Sequence, residues 1–138
     1  MKKREKVGNV MTRDVVTINV NDSLHNANNI FNAQKLRHLP VIANEHLVGI
    51  LSQTDILRIS FGNTFGEQNG GDEAIFDMLS INQIMKHSPI TVNSNSTLKE
   101  AAQILAEKEF HALPVVDDDK LVGIITTTDI MNYFIENF

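Results

Sequence analysis

The stretch LVGILSQTDI at residues 47–56 returns almost unchanged as LVGIITTTDI at residues 121–130. A constant offset of 74 residues superposes 11–57 on 85–131 with 17 identical positions, far more than unrelated segments share. The chain therefore contains an internal duplication. Because each copy alone is too small to bury much apolar surface, we expect the two copies to pack face to face.

The hydrophobic pattern of each copy predicts strand, helix, two strands and helix in that order, which is an α/β (α+β) fold. Ser23 and Thr97 precede the first helices, where an N-cap belongs. Polar turns at 43–46 and 117–120 join the two central strands of each copy. The predicted strand residues are Val15, Val16 and Ile18 with 40–42 and 47–51, and Ile90 and Val92 with 114–116 and 121–125.

A glycine-rich segment, 58–83, lies between the copies. Residues 73–79 within it are amphipathic enough for a short helix. The segment is either a tether or a lid or partner-docking loop. The expected organisation is therefore a first repeat at 1–61, a flexible connector with a short helix at 62–83, and a second repeat at 84–138.

Composition excludes several classes of protein. The chain of 138 residues has no cysteine, so disulfide frameworks, thiolate metal sites and cysteine nucleophiles are excluded, and a cytoplasmic location is the default expectation. A net charge of -5 makes nucleic acid an unfavourable partner, and no apolar run is long enough for a membrane span. No P-loop, G-x-S-x-G or HExxH motif is present, so we expect no catalytic residues and no enzyme.

The junction between the last strand and the last helix of each copy carries Ser or Thr, then Asp three positions later. Two interpretations of Ser52 with Asp55, and of Thr126 with Asp129, remain open. The pair is a capping box, in which the hydroxyl and the carboxylate both bond the helix's own backbone amides. Alternatively the carboxylate turns outward to accept from a ribose diol, while the hydroxyls and helix amides face a phosphate.

This joint order of elements, twice in register, resembles a tandem pair of cystathionine-β-synthase (CBS) domains, called a Bateman module. The Leu-Pro-Val strands at 39–41 and 113–115, the Leu-Val-Gly-Ile strands and the two junctions carry the resemblance. It implies two β-α-β-β-α repeats with pseudo-two-fold symmetry. It also implies a regulatory module that senses adenine nucleotide status and modulates an unknown partner. The alternative is a ligand-free dimerisation scaffold.

The resemblance further implies two clefts between the copies that bind AMP, ADP, ATP or S-adenosylmethionine as a regulatory ligand, with no obligatory cofactor. It implies contacts from the residue before each opening methionine, from the positions before Leu-Pro and from the junctions. Because Arg37 is permanently charged whereas its counterpart His111 is not, we expect the clefts to differ in affinity. The implied ligand-binding residues are Val10, Arg37, His38, Ile50, Ser52, Thr54, Asp55, Ile84, His111, Ile124, Thr126, Thr128 and Asp129.

The remaining polar groups favour no metal site. His25, His46 and His87 are scattered and are expected at the solvated surface, and the acidic run 117–119 is expected in a hairpin turn. The resemblance suggests a homodimer. Apolar residues on the last helix of each copy offer a surface for it, and they are Leu57, Ile59, Phe61, Met131, Tyr133, Phe134, Ile135 and Phe138.

Overall fold

The computed structural model describes residues 4–62, 69–108 and 110–138 and has two compact units. We call Val16–Ser88 the central unit, and Met1–Val15 together with Pro89–Phe138 the split unit. The opening segment of each sequence repeat therefore belongs to the unit built from the other repeat. No helix among the described residues has the length and apolar character to cross a membrane.

The central unit contains a four-stranded sheet in the order β1-β2-β3-β4. Strand β1 is parallel to β2, whereas β3 is antiparallel to both β2 and β4. The elements are β1 (Ile18–Asn19), α1 (Leu24–Gln34), β2 (His38–Ala43), β3 (His46–Ser52), α2 (Gln53–Gly62), α3 (Asn69–Met78), α4 (Ile81–Ile84) and β4 (Lys86–His87).

The split unit has the same arrangement, but single bridges replace the two outer strands of the sheet. Its named elements are α5 (Leu98–Lys108), β5 (Ala112–Asp117), β6 (Lys120–Thr126) and α6 (Thr127–Asn137). A parallel bridge from Val92 to Val115 takes the place of the β1–β2 pairing. An antiparallel bridge from Thr12 to Ile124 takes the place of the β3–β4 pairing. The α+β fold class expected from the sequence is thus confirmed in both units.

Local sequence explains how these elements begin and turn. The Ser23 hydroxyl accepts from the Asn26 amide at 3.0 Å, and the Thr97 hydroxyl accepts from the Glu100 amide at 3.1 Å, so both predicted N-caps are confirmed. Each hairpin turns through two residues with positive φ. These turn residues are Asn44 (50°), Glu45 (68°), Asp118 (50°) and Asp119 (66°), as the predicted hairpins require.

The central unit's core is formed by the hairpin, α1 and the helices that follow it. Phe31, Leu39 and Leu51 are fully or almost fully buried there, and Phe76 and Ile81 add to the same cluster. In the split unit the 3-10 turn Val7–Asn9 buries Val7 against the second hairpin. The remaining buried members of that cluster are Met11, Val92, Leu98, Ala101, Leu105, Leu113, Val115 and Ile125.

The structure differs from the sequence prediction in two places. The first strand of each copy is shorter than expected, since Val15, Val16 and Ile90 lie outside any strand. The connector is largely helical, because α2 continues to Gly62 and 69–84 holds α3 and α4. These two helices bury Phe76 and Ile81 in the core of the central unit. This part of the connector is therefore an integral part of that unit's core. Residues 63–68, also predicted as connector, lie outside the described residues.

Candidate functional site

The opening segment of each repeat lies against the last strand of the other repeat. Thr12 and Ile124 exchange two backbone hydrogen bonds of 2.9 Å each. In the same register Lys86 pairs with Ile50. Each candidate site is therefore assembled from the start of one repeat and the strand-to-helix junction of the other.

Glycine is required where this segment crosses the strand. A Cβ added at Gly49 would lie 2.9 Å from the carbonyl oxygen of Lys86, and one added at Gly123 would lie 2.8 Å from that of Thr12. Both distances are shorter than van der Waals contact allows. The repeated glycine of the Leu-Val-Gly-Ile strand thus permits the crossing.

At the central junction the Asp55 carboxylate caps the start of α2. Its Oδ2 accepts from the Ser52 amide at 3.0 Å, and the Asp55 amide donates to the Ser52 hydroxyl at 3.1 Å. Oδ1 lies 3.5 Å from Nη1 of Arg58, one turn further along the helix. Asp55 is only 7% exposed, so these contacts compensate for burying its charge.

The split junction has the same cap but a different neighbour. Asp129 Oδ2 accepts from the Thr126 amide at 3.0 Å, and the Asp129 amide donates to the Thr126 hydroxyl at 3.0 Å. The hydroxyl of Thr12 donates to Asp129 Oδ1 at 3.1 Å. The second carboxylate oxygen, Oδ1, therefore contacts a neutral hydroxyl here, whereas in the central unit it contacts a guanidinium.

These contacts decide between the two interpretations of the junction. Both carboxylates fold back onto their own backbone amides, so the capping box is present in each copy. Of the two open interpretations, the capping box is the one observed, because the unsatisfied amides of the first helical turn attract the carboxylates. Capping uses Oδ2 alone, and Oδ1 still accepts hydrogen bonds from other donors.

Arg37 and His111 stand beside the two helix starts. The Gln53 amide donates to the carbonyl of Arg37 at 2.9 Å, and the Thr127 amide donates to that of His111 at 3.0 Å. Both side chains are exposed. A negatively charged group near either helix start would also meet the positive end of the helix dipole.

The other predicted site residues lie in both units, four in the central unit and three in the split unit. Ile84, His38, Ile50 and Thr54 lie in the central unit with Asp55. Val10, Ile124 and Thr128 lie in the split unit with Asp129. Thr54 and Thr128 are exposed in the first turns of α2 and α6, whereas Val10, His38, Ile50 and Ile84 are half-buried and Ile124 is buried.

Sequence analysis missed two side chains that contact the carboxylates, Thr12 and Arg58, and it missed Lys86, which pairs with Ile50 as Thr12 pairs with Ile124. Thr12 and Lys86 directly follow the repeated opening methionines, Met11 and Met85, and this position was the available signal. The exchange of opening segments, which brings them to the junctions, has no local signature.

The histidines and acidic residues are dispersed or paired with one another in the described part of the chain. Among residues 4–62, 69–108 and 110–138, no three His, Asp or Glu side chains gather as metal ligands would. His25 Nε2 instead lies 2.7 Å from Asp77 Oδ1, and His87 Nε2 lies 2.7 Å from the Asn82 carbonyl. Asp118 and Asp119 form the hairpin turn, as predicted for the acidic run.

Known proteins match this arrangement. The CBS domain family matches twice, over residues 7–62 and 81–136. Protein MJ1225 of Methanocaldococcus jannaschii is 30% identical over 94% of this chain. The chain spans 47% of that relative, and the crystal structure of MJ1225 gives a TM-score of 0.83 over 97% of this chain and 49% of the other.

Two solved CBS-pair proteins of about the same length agree with the fold. CBSX2 from Arabidopsis thaliana is 30% identical, with a TM-score of 0.84 over 97% of this chain and 96% of the other. A structure of CBSX2 in complex with AMP gives 0.79 at 29% identity, over 96% and 97% of the two chains. The CBS domain pair of MJ0100, in complex with 5′-methylthioadenosine and S-adenosyl-L-methionine, gives 0.78 at 26% identity, over 94% and 98%. With two family matches, the described fold and these relatives in agreement, the chain belongs to the CBS domain family as a tandem pair of repeats.

Proposed function

We propose that this chain is a regulatory module that binds an adenosine-containing ligand at the two junctions and thereby modulates a partner protein. The observation that carries the proposal is the contact between Thr12 and Asp129. A hydroxyl donates to Oδ1 while Oδ2 holds the helix cap. A ribose hydroxyl is the same kind of donor, so the carboxylate can serve the cap and a sugar together.

The surroundings of each carboxylate suit the rest of such a ligand. Half-buried Ile50 and buried Ile124 lie one residue beyond the crossing glycines and offer apolar surface to an adenine ring. Exposed Thr54 and Thr128 in the first helical turns provide hydroxyls for a phosphate, and the helix dipole favours its negative charge.

The solved relatives support this ligand class. CBSX2 was crystallised with AMP, and the MJ0100 pair with 5′-methylthioadenosine and S-adenosyl-L-methionine. The match with this chain covers 97% of CBSX2 and 98% of the MJ0100 pair. Modulation of a partner requires that the ligand bind one of two states of the module more tightly than the other. We place this activity in the cytoplasm and assign the module no catalytic step.

The test is calorimetric titration of the chain with AMP and S-adenosylmethionine, before and after Asp55→Asn and Asp129→Asn together. Asparagine keeps an acceptor oxygen for the cap but places an amide donor at the second position, where a sugar hydroxyl needs an acceptor. We expect binding to be lost while the melting temperature stays close to that of the wild type.

Glu100→Ala is the matched control, because Glu100 completes the cap of α5, which carries no candidate site. This variant should lose stability but keep ligand binding. Failure of the wild type to bind any adenosine compound at millimolar concentration would overturn the proposal.

A structural dimerisation scaffold is the second candidate, because α6 presents a large apolar face. The rings of Phe134 and Phe138 stack with their centroids 4.3 Å apart. The exposed fractions of Met131, Phe134, Ile135 and Phe138 range from 53% to 73%. Leu57 on α2 is 45% exposed, whereas Ile59 and Tyr133 are half-buried and the side chain of Phe61 lies outside the description. A homodimer that forms without ligand, in a chain that binds no adenosine compound, would favour this candidate.

A further inference from the structure

The two junctions differ in charge although the duplication gave them the same backbone plan. Three cationic side chains belong to the central junction, at positions 37, 58 and 86. The matching positions of the split unit, 74 residues away in sequence, hold no lysine or arginine. The central residues are Arg37, Arg58 and Lys86, and their counterparts are His111, Asn132 and Thr12.

The register fixes where Lys86 lies. It pairs with Ile50 as Thr12 pairs with Ile124. In the split unit the side chain at this register reaches the junction carboxylate, with Thr12 Oγ1 3.1 Å from Asp129 Oδ1. By the same register we infer that the Lys86 side chain leaves its strand on the side of the central junction.

The two arginines approach the same junction from other elements. Arg58 Nη1 lies 3.5 Å from Asp55 Oδ1, and its side chain is 71% exposed. Arg37 is exposed and contributes its carbonyl to the first amide of α2. The three cationic residues thus lie on segments that meet at the start of α2.

Arg13 belongs to the split unit but does not add a cation to its junction. It follows Thr12 directly, so the two side chains leave an extended segment on opposite sides. Arg13 Nη2 donates to the Gly8 carbonyl at 2.6 Å. The same side chain lines a cavity of about 260 Å³ with Asp117, at the hairpin end of β6 rather than at its junction end.

From this asymmetry we infer that the central junction selects adenosine ligands with several phosphate charges, whereas the split junction selects uncharged or cationic adenosine ligands. The inference rests on the proposed function. Arginine and lysine bind phosphate oxygens through charge-assisted hydrogen bonds, and three such residues belong to the central junction. At the split junction a phosphate would meet the Asp129 carboxylate with no lysine or arginine at the matching positions.

The experiment separates the sites with Asp129→Asn, which leaves the central junction intact, and Asp55→Asn, which leaves the split junction intact. Adenosine, AMP and ATP are titrated calorimetrically into each variant in magnesium-free buffer with EDTA. In Asp129→Asn we expect ATP to bind about tenfold or more tighter than adenosine. That preference should weaken as salt is raised, because salt screens exposed charges. In Asp55→Asn we expect adenosine to bind at least as tightly as ATP.

Exchanging the charges tests the assignment directly. Arg37→His with Lys86→Thr, made in Asp129→Asn, should remove the preference for ATP. The reciprocal pair, His111→Arg with Thr12→Lys, made in Asp55→Asn, should create it. Circular dichroism melts of each variant establish that it is folded before titration, and Arg37→Gln with Lys86→Gln replaces the first pair if that pair does not fold.

The outcomes distinguish this inference from the proposed function. The same ligand order in both single-site variants, or a preference unaffected by the charge exchange, would overturn the inference and leave adenosine binding in place. If the wild type binds none of the three compounds, the proposed function fails, and the inference fails with it.

Discussion

The Thr12 hydroxyl donates to Asp129 Oδ1 at 3.1 Å, although the two residues are 117 positions apart in sequence. The contact joins the start of the first repeat to the start of the last helix, α6. It shows that a capped aspartate in this fold still accepts a hydroxyl, and this property underlies the proposed binding of a sugar.

Replacing Thr12 with valine removes this donor and keeps the β-branched shape. We expect the free energy of unfolding, measured by urea denaturation, to fall by about 1 kcal/mol. Adenosine binding should persist, because the ligand supplies its own hydroxyl to Oδ1. Thr128→Val, at another exposed threonine beside Asp129, is the control for stability. A loss of stability equal to that of the control would contradict the role given to the contact.

Alanine at Gly123 should destabilise the protein by about 1–3 kcal/mol, since its Cβ would press on the Thr12 carbonyl oxygen and the Met11 side chain. Gly8→Ala gives a graded comparison. Its Cβ would lie 3.1 Å from atoms of Ser94, so a smaller loss is expected. Thermal or urea unfolding measures both, and equal stability of Gly123→Ala and wild type would show that the crossing segment is not held as described.

Asp117 predicts a dependence of stability on pH. The Ser94 hydroxyl donates to its Oδ2 at 2.6 Å and the Ser94 amide to its Oδ1 at 2.9 Å, and these two bonds hold the pKa of Asp117 below its ordinary value. Because the folded pKa is the lower one, this carboxylate stabilises the protein above the pKa of the unfolded chain. The contribution is lost as the pH falls through the folded pKa.

We therefore expect Asp117→Asn to melt at a lower temperature than wild type at pH 7. The difference should shrink as the pH is lowered below about 4, near the pKa of an unfolded aspartate. Asp118→Asn, in the adjoining turn at φ 50°, is the control, because asparagine tolerates that conformation. A melting difference that is unchanged between pH 7 and pH 3 would refute this account of Asp117.

The apolar face of α6 predicts self-association. We expect the wild type to sediment as a dimer at micromolar concentration and Ile135→Glu to sediment as a monomer, since Ile135 is 70% exposed within that face. The substitution should change the stability of the isolated chain by no more than about 0.5 kcal/mol. Glu136→Lys, on the same exposed helix, should remain dimeric. A monomeric wild type would remove the dimer from the proposed function.

Much of the fold was predictable because its determinants are local. The N-caps at Ser23 and Thr97 and the hairpin turns at 44–45 and 118–119 follow from short-range chemistry. The sequence overestimated the length of the first strand of each copy. The reason is that β-branched residues such as Val15 and Val16 favour extended backbone even where no neighbouring strand pairs with them.

The candidate site was predictable only in part. Its aspartates were identified, but spacing alone could not decide between the cap and the outward orientation. The decision depends on helix-terminal amides that compete for the same oxygens. Thr12 and Lys86 were missed because their places along the last strands, β6 and β3, arise from pairing between distant segments, which no short sequence pattern records.

The crossed opening segments also bear on how such a chain could be divided. A single repeat expressed alone would have its hairpin but lack the segment that covers its final strand, so it could complete a junction only by borrowing that segment from another molecule. Two identical subunits would then build two identical pockets, whose formation would depend on protein concentration. Covalent fusion makes assembly independent of dilution, and it allows the two opening segments to differ, with Thr12 in one and Lys86 in the other.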